Sequence, residues 1–163
     1  MDKAESKPAA KSGAGLEGVV AAESAIGDVD GLNGVLIYQG LNIHDLAEHS
    51  TFEETVYLLW HGRLPKRNEL DALKQELSAN MRLPEEVIEL IRRFPAGAEP
   101  MDALRTAISA LAFYDPGTRD LSREGALRTA TRLTAQFPVV VAAFERLRKG
   151  QEPVEPRADF NIA

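Results

Sequence analysis

Apolar residues recur at steps of three and four along most of this chain, the spacing that places them on one face of an α-helix. The start of the first helix is marked by Ser50 or Thr51, which can form a capping box with Glu53 or Glu54. Gly62 is a typical helix stop. We therefore predict a helix from about residue 51 to residue 61.

Four further apolar stripes predict the remaining helices. They comprise Leu70, Leu73, Leu77 and Met81; Val87, Ile88 and Ile91; Met101, Leu104, Ile108 and Leu111; and Leu127, Leu133, Phe137, Val141, Phe144 and Leu147. Pro84 suits the first position of the second of these helices, and Ser122 is a good N-cap for the last. Pro138 lacks an amide donor and should kink that last helix.

A short β hairpin is predicted ahead of the helices. Its strands are Val19-Val20-Ala21-Ala22, continuing to Ile26, and Val35-Leu36-Ile37-Tyr38, joined by a turn at Gly27-Asp28-Val29-Asp30-Gly31. The predicted fold class is therefore mainly α, with this hairpin as the only β structure. Residues 1–14 are predicted to be a disordered tail, which leaves residues 15–163 as one helical domain.

Composition narrows the classes of function. The chain has 163 residues, of which 44% are hydrophobic and 27% charged, and its formal net charge is −6. This acidic balance argues against general nucleic-acid binding, which needs clustered Lys and Arg. The absence of cysteine rules out disulfides, thiolate metal sites and a cysteine nucleophile. No run approaches the ~20 apolar residues of a membrane span, and no signal or transit peptide is recognisable, so we expect a cytoplasmic protein.

Two short motifs imitate ligand sites. Gly13-Ala14-Gly15-Leu16-Glu17-Gly18 matches the dinucleotide fingerprint, but that loop must follow a strand and open a helix, whereas this segment follows the tail and precedes a strand. Asp28-Val29-Asp30 begins like a calcium loop, yet the fifth, sixth and twelfth positions are Leu32, Asn33 and Gln39. We interpret the first motif as a flexible lead-in and the second as a turn.

The histidines and aromatic residues favour structural roles. His44 and His49 are five residues apart and His61 is remote, so they do not share the spacing of a helical metal pair. The sequence contains no Gly-x-Ser-x-Gly nucleophile elbow. Phe52, Tyr57 and Trp60 have helical spacing and are expected to pack into the core.

Two blocks of the sequence resemble the citrate synthase family. The first contains Asp28-Val29-Asp30-Gly31, Tyr38-Gln39-Gly40, Ser50-Thr51-Phe52-Glu53-Glu54 and the run from Tyr57 to Pro65; the second runs from Pro100 to Leu111 and continues to Tyr114-Asp115-Pro116. The similarity extends from Leu16 to about Ala163. It implies the amino-terminal portion of the family's large helical domain, with a small β hairpin at its start.

The resemblance implies an acyltransferase of the tricarboxylic acid cycle that condenses acetyl-CoA with oxaloacetate to give citrate and CoA. The family keeps its base, its enolate-stabilising histidine and its carboxylate-binding arginines on later motifs, including Gly-x-Gly-His-Arg-Val-Tyr, and none occurs in residues 1–163. We therefore assign no catalytic, cofactor-binding or metal-binding residue, and predict that this chain is truncated and inactive alone. Arg105 matches the family's Leu-Arg-Thr, with an ion pair as its default role, while Gln39 stands where many relatives have Arg.

The resemblance also implies a partner surface. In the family, the helices that match residues 101–114 and 122–148 pair two subunits, so we expect a homo-oligomer such as a dimer, or pairing with an intact citrate synthase subunit. Two interpretations stay open: a truncated citrate synthase, or a non-catalytic helical module that regulates an intact subunit. A stand-alone helical scaffold is a third. The choice between acetyl-CoA and the propionyl-CoA of 2-methylcitrate synthases cannot be made from these residues.

Overall fold

A computed structural model describes residues 24–157 and 162 of the chain. These residues form a small sheet followed by six α-helices. The elements are β1 (Gly27–Asp30), β2 (Val35–Tyr38), β3 (Leu41–Asn42), α1 (Ile43–His49), α2 (Phe52–His61), α3 (Arg67–Ala79), α4 (Glu85–Arg92), α5 (Pro100–Leu111), a 3-10 turn (Ala112–Tyr114) and α6 (Arg123–Arg148). The predicted fold class, mainly α with a small amino-terminal β element, is confirmed.

The sheet is antiparallel in the order β1-β2-β3, and its first strand and turn lie at other residues than predicted. Gly27 pairs with Tyr38 and Asp30 pairs with Val35, so the segment predicted as a turn is the first strand. The turn comes later because the Asp30 carboxylate accepts the backbone N–H groups of Leu32 and Asn33 at 3.1 and 3.0 Å. The predicted strand at 19–22 lies outside the described residues.

A third strand follows directly and was not predicted. It pairs Tyr38 with Leu41 across a two-residue turn, Gln39-Gly40, in which both residues have positive φ, 49° and 82°. Glycine adopts this conformation easily, whereas glutamine does so at a cost. The hairpin therefore contains one strained residue, Gln39.

Helix α2 confirms the predicted capping box. The Thr51 hydroxyl accepts the Glu54 amide at 3.3 Å, while the Glu54 carboxylate accepts the Thr51 amide at 2.7 Å. Gly62 ends the helix in the left-handed conformation, φ 74°. Both predictions succeed because caps are local interactions between residues close in sequence.

Two clusters of buried side chains form the interior. The first, which we call the α4–α6 core, comprises Leu83, Val87, Ile91, Ala103, Ala107, Leu111, Val140, Ala143 and Phe144. The second, the α2–α3 core, comprises Tyr57, Leu73, Leu77, Met81 and Ala135. Helix α6 supplies residues to both clusters, so it is the element that joins them.

The predicted apolar faces of the earlier helices agree with the structure. Leu70, Leu73 and Leu77 are buried on α3, and Met81 is buried just beyond its end. Val87 and Ile91 are buried on α4, with Ile88 partly buried beside them, and Pro84 precedes the first helical residue by one position. The Ser122 cap of α6 is confirmed, since its hydroxyl accepts the Gly125 amide at 3.1 Å.

The predicted apolar stripes of α5 and α6 divide between the interior and the surface. On α5 the buried residues are Ala103, Ala107 and Leu111, with Leu104 and Ile108 partly buried against the same core, and Met101 is 71% exposed. Small residues are buried here because they let the helices approach closely, which a count of large apolar residues overlooks. Helix α6 runs unbroken through Pro138, and the kink predicted there stays a prediction.

Candidate functional site

The candidate site is a contact surface on the outer face of α6. Ala126, Ala130, Thr134, Phe137 and Val141 follow one another at steps of three and four and share one face of the helix. Their side chains are exposed or half-buried. We call these five residues the outer stripe. Four of the five are apolar, and an exposed apolar strip on a helix that also supplies buried residues to both cores is typical of a contact surface.

Two neighbouring valines show how sharply the two faces of α6 differ. Val140 is 1% exposed in the α4–α6 core, whereas Val141 is 51% exposed on the outer stripe. Successive residues of an α-helix are rotated by about 100°, so one step moves the side chain from the interior to the surface. Phe137 and Val141, predicted in one apolar stripe with Phe144, belong to the outer stripe, whereas Phe144 is buried in the α4–α6 core.

The exposed side of helix α5 is more polar than the outer stripe. Its exposed side carries Met101, but also Asp102, Arg105, Thr106 and Ser109. Arg105 donates to the Asp102 carboxylate at 2.5 Å, which agrees with the structural role expected of it. The exposed part of α5 is therefore mainly polar, and the apolar contribution comes from α6.

The connection between α5 and α6 presents further apolar side chains. Phe113 is 88% exposed, and Tyr114 and Leu121 are also exposed. Asp115 fixes this connection because its nearly buried carboxylate pairs with Arg132 and accepts the Gly117 amide at 2.7 Å. These polar contacts hold a loop with an apolar exterior in one place.

A second carboxylate fixes the entry into α6. Asp120 pairs with Arg128 and accepts the Ser122 amide at 3.0 Å, and the hydrogen bonds from Ser122 lower the pKa of Asp120. Gly125 lies so close that a Cβ atom there would be 2.4 Å from the Asp120 carbonyl oxygen. The first turn of α6 can therefore hold no side chain at this position without moving the loop.

The three histidines lie on α1 and at the end of α2. His44 and His49 are exposed on α1, and His61 stacks on Tyr57 with ring centroids 4.1 Å apart. Among residues 24–157 and 162, no group of three or more His, Asp or Glu side chains is placed to hold a metal ion. No described helix is both long and apolar enough to cross a membrane.

The aromatic residues of α2 differ in burial. Tyr57 is buried in the α2–α3 core and Trp60 packs against it, as predicted, but Phe52 is largely exposed at the start of the helix. Arg63 lies over Tyr57, 5.4 Å from its ring centroid, and donates to Glu69 at 2.6 and 2.8 Å. The arginine lowers the pKa of Glu69 to about 2. Tyr57, Arg63 and Glu69 thus hold together the end of α2 and the start of α3, which is a structural role.

Sequence reasoning missed one buried charge. The sequence pattern offers Glu53 only as a capping residue, yet Glu54 fills that role and Glu53 is 2% exposed. Its carboxylate accepts the backbone N–H of Ile162 at 3.2 Å, across 109 positions of sequence. No local pattern reports a contact over that distance.

The family model described as "Citrate synthase, C-terminal domain" matches residues 15–163. Among curated relatives, citrate synthase 2 of Bacillus subtilis is 47% identical over 150 residues, covering 91% of this chain and 40% of the relative. The citrate synthase of Haloferax volcanii is 45% identical over 153 residues, again covering 91% and 40%. The 2-methylcitrate synthase of Mycobacterium tuberculosis is 36% identical over 149 residues, covering 91% and 37%.

Solved structures agree with these relatives. The citrate synthase from Pyrobaculum aerophilum superposes with a TM-score of 0.85 at 37% identity, covering 91% of this chain and 39% of that one. The enzyme from Thermotoga maritima gives a TM-score of 0.79 at 36% identity, covering 91% and 38%. The chain thus spans about 40% of the length of the curated relatives it matches.

Proposed function

Because this chain belongs to the citrate synthase family, we propose that it serves in the condensation of acetyl-CoA with oxaloacetate to citrate and CoA. The relatives named as citrate synthases at 47% and 45% identity support this reaction over that of the 2-methylcitrate synthase, which is 36% identical. Propionyl-CoA is the competing substrate, and it differs from acetyl-CoA by one methylene group.

We propose that residues 1–163 contribute scaffold and subunit contact rather than reacting groups. Condensation needs a base that removes a proton from the thioester methyl group and a placed donor that stabilises the enolate. The motifs that carry these groups in the family are absent from residues 1–163. The single observation behind the contact role is the outer stripe, an apolar strip on the helix that joins both cores.

The proposed contact pairs two copies through residues 101–114 and 122–148, with α6 dominant. Phe137 and Val141 would lie at its centre, since they are the large apolar side chains that the stripe exposes. Two identical stripes meeting about a twofold axis form a self-complementary surface, which suits a closed dimer.

A second candidate function rests on the same stripe. Without reacting groups, the chain could pair with an intact citrate synthase subunit and regulate it as a non-catalytic module. Both candidate functions use the same surface, so a measurement of association alone does not distinguish them. A measurement of enzymatic activity distinguishes the two.

A chimera tests the first candidate directly. Residues 15–163 replace the matching 150 residues of the Bacillus subtilis enzyme, and release of the CoA thiol is measured with acetyl-CoA and with propionyl-CoA. We expect activity with acetyl-CoA within about tenfold of the parent, because the reacting groups come from the other part of the parent. A folded, dimeric but inactive chimera would contradict the proposal and favour the regulatory module.

A further inference from the structure

A groove lies between α4 and the end of α5, and we call it the α4–α5 groove. Val87 and Leu90 of α4 and Ala110 of α5 give it an apolar floor, and its volume is about 540 Å³. Leu90 and Ala110 are half-buried, so part of this floor is open to a ligand. A groove of this size and composition can take up apolar side chains of a partner.

An aromatic side chain lies at one edge of the α4–α5 groove. Phe113, in the 3-10 turn after α5, lines the groove and is 88% exposed. The Thr118 hydroxyl fixes this turn, since it lies 3.2 and 2.9 Å from the carbonyl oxygens of Ala112 and Asp115. The ring is therefore carried on a backbone that needs little ordering when a partner binds, as in the hot spots of protein interfaces.

Carboxylates line the α4 side of the groove. Glu85, Glu86 and Glu89 belong to the described lining, which contains one cation, Arg93. Glu89 pairs with Arg92 at 3.1 Å, but Glu85 and Glu86 are exposed and form no ion pair within residues 24–157 and 162. Two carboxylates that the described part of the chain does not neutralise therefore lie beside the apolar floor.

This combination of an apolar floor and a carboxylate edge restricts the charge of an occupant. A second copy of this chain fits poorly, because each copy has a net charge of −6 and the same three glutamates at its groove. Nucleic-acid phosphates and acidic peptides meet the same repulsion. An amphipathic helix with Lys or Arg beside its apolar face complements both properties of the groove.

We propose that the α4–α5 groove binds a cationic amphipathic helix of another protein. Apolar side chains of that helix pack on Leu90 and Ala110 beside the Phe113 ring, and its Lys or Arg side chains pair with Glu85 and Glu86. The inference rests on this groove alone and is independent of the proposed function, which uses the outer stripe of α6.

Two synthetic peptides test the charge of the occupant. One is an amphipathic helix of leucine and lysine, and the other carries glutamate in place of every lysine. Fluorescence anisotropy measures the binding of each labelled peptide to the full chain at 0.1 M salt. We expect the lysine peptide to bind at least about tenfold more tightly, because only its charges complement those of the groove. Equal binding of the two peptides, or binding of neither, would overturn the proposal.

Two pairs of variants locate the bound peptide. Phe113→Ser should weaken binding of the lysine peptide about tenfold, whereas Leu121→Ser should not change it. Both side chains are exposed on the α5–α6 connection, but only Phe113 is among the residues that line the groove. Glu86→Lys should weaken binding about fivefold. Glu76→Lys changes the net charge equally on the exposed face of α3 and should have a smaller effect.

The same variants also test the competing occupant, a second copy of this chain. Sedimentation velocity compares the self-association of the wild type with that of Phe113→Ser. We expect the two to agree, because the groove is predicted to bind a cationic helix and not another copy. Weaker self-association in Phe113→Ser would assign the groove to a second copy and overturn the proposal. Equal loss of peptide binding in Phe113→Ser and Leu121→Ser, or in Glu86→Lys and Glu76→Lys, would overturn it as well.

Discussion

Val140 and Val141 are adjacent, identical in chemistry and opposite in environment. The first packs among α4, α5 and α6, and the second lies on the outer stripe. The difference shows that hydrophobicity alone does not define the interior of this protein. A side chain is buried where another element meets its face, and residues 24–157 and 162 leave Val141 51% exposed. The comparison leads to four predictions, given from the largest effect to the smallest.

The largest effect should come from placing a charge on the inner face. Val140→Asp buries a carboxylate without a partner in the α4–α6 core, which should cost about 4 kcal/mol or more and unfold the chain at room temperature. Val141→Asp should change the free energy of unfolding by about 0.5 kcal/mol, measured on the monomer by urea titration with circular dichroism. Similar losses in both variants would show that the two faces are not distinct.

The outer face should instead show its effect on association. Val141→Asp is expected to weaken self-association at least tenfold, because each copy would bring an unpaired charge to the centre of the proposed contact. Sedimentation velocity over a range of concentrations measures the change. Leu32→Asp is the control, since Leu32 is fully exposed in the β1–β2 turn, away from the stripe. A wild-type chain that stays monomeric at high concentration would contradict the proposed contact.

Helix α5 offers a milder version of the same contrast. Ile108 packs against the α4–α6 core although part of its surface is exposed, and Met101 extends into solvent. Ile108→Ala should cost about 2 kcal/mol of stability, and Met101→Ala less than about 0.5 kcal/mol. Thermal unfolding of the two variants measures the loss of stability. Equal losses in the two variants would place Ile108 and Met101 on the same face of α5.

The smallest effect concerns the polar contact between Arg63 and Glu69 at the α2–α3 connection. Arg63 lowers the pKa of Glu69 to about 2 from an ordinary value of 4.5, so the ionised form is favoured in the folded state. The stabilisation should be complete above pH 4.5 and be lost as the pH falls towards 2. Glu69→Gln should flatten this part of the stability curve. Asp71→Asn, which removes an exposed ion pair on the same helix, is the control and should leave the curve nearly unchanged.

Local signals predicted much of the fold. The capping box of α2, the Ser122 cap and the buried leucines of α3 all depend on residues within one or two turns of each other. The errors have a different origin. The turn at 27–31, the outward position of Phe137 and the exposure of Phe52 each depend on which elements meet in three dimensions. A single sequence does not show which elements contact one another in the folded protein.

The candidate site likewise has parts that the sequence could predict and parts that it could not. Residues 101–114 and 122–148 could be named from the resemblance, but the dominance of α6 over α5 follows only from the packing of Ala103 and Ala107. Glu53 could not be found at all, because its partner is 109 positions away. Contacts that are far apart in sequence leave no periodic trace.

That separation also fixes an order of events during synthesis. The ribosome adds about 5 to 20 residues per second, so α2 emerges roughly 5 to 20 s before Ile162, the residue that donates to its buried carboxylate. Helices α4 to α6 follow one another along the chain and can pack as soon as they appear, since short loops close at little entropic cost. The nascent chain can therefore pack α4 to α6 before Ile162 emerges, and the Glu53 carboxylate gains this amide donor only afterwards.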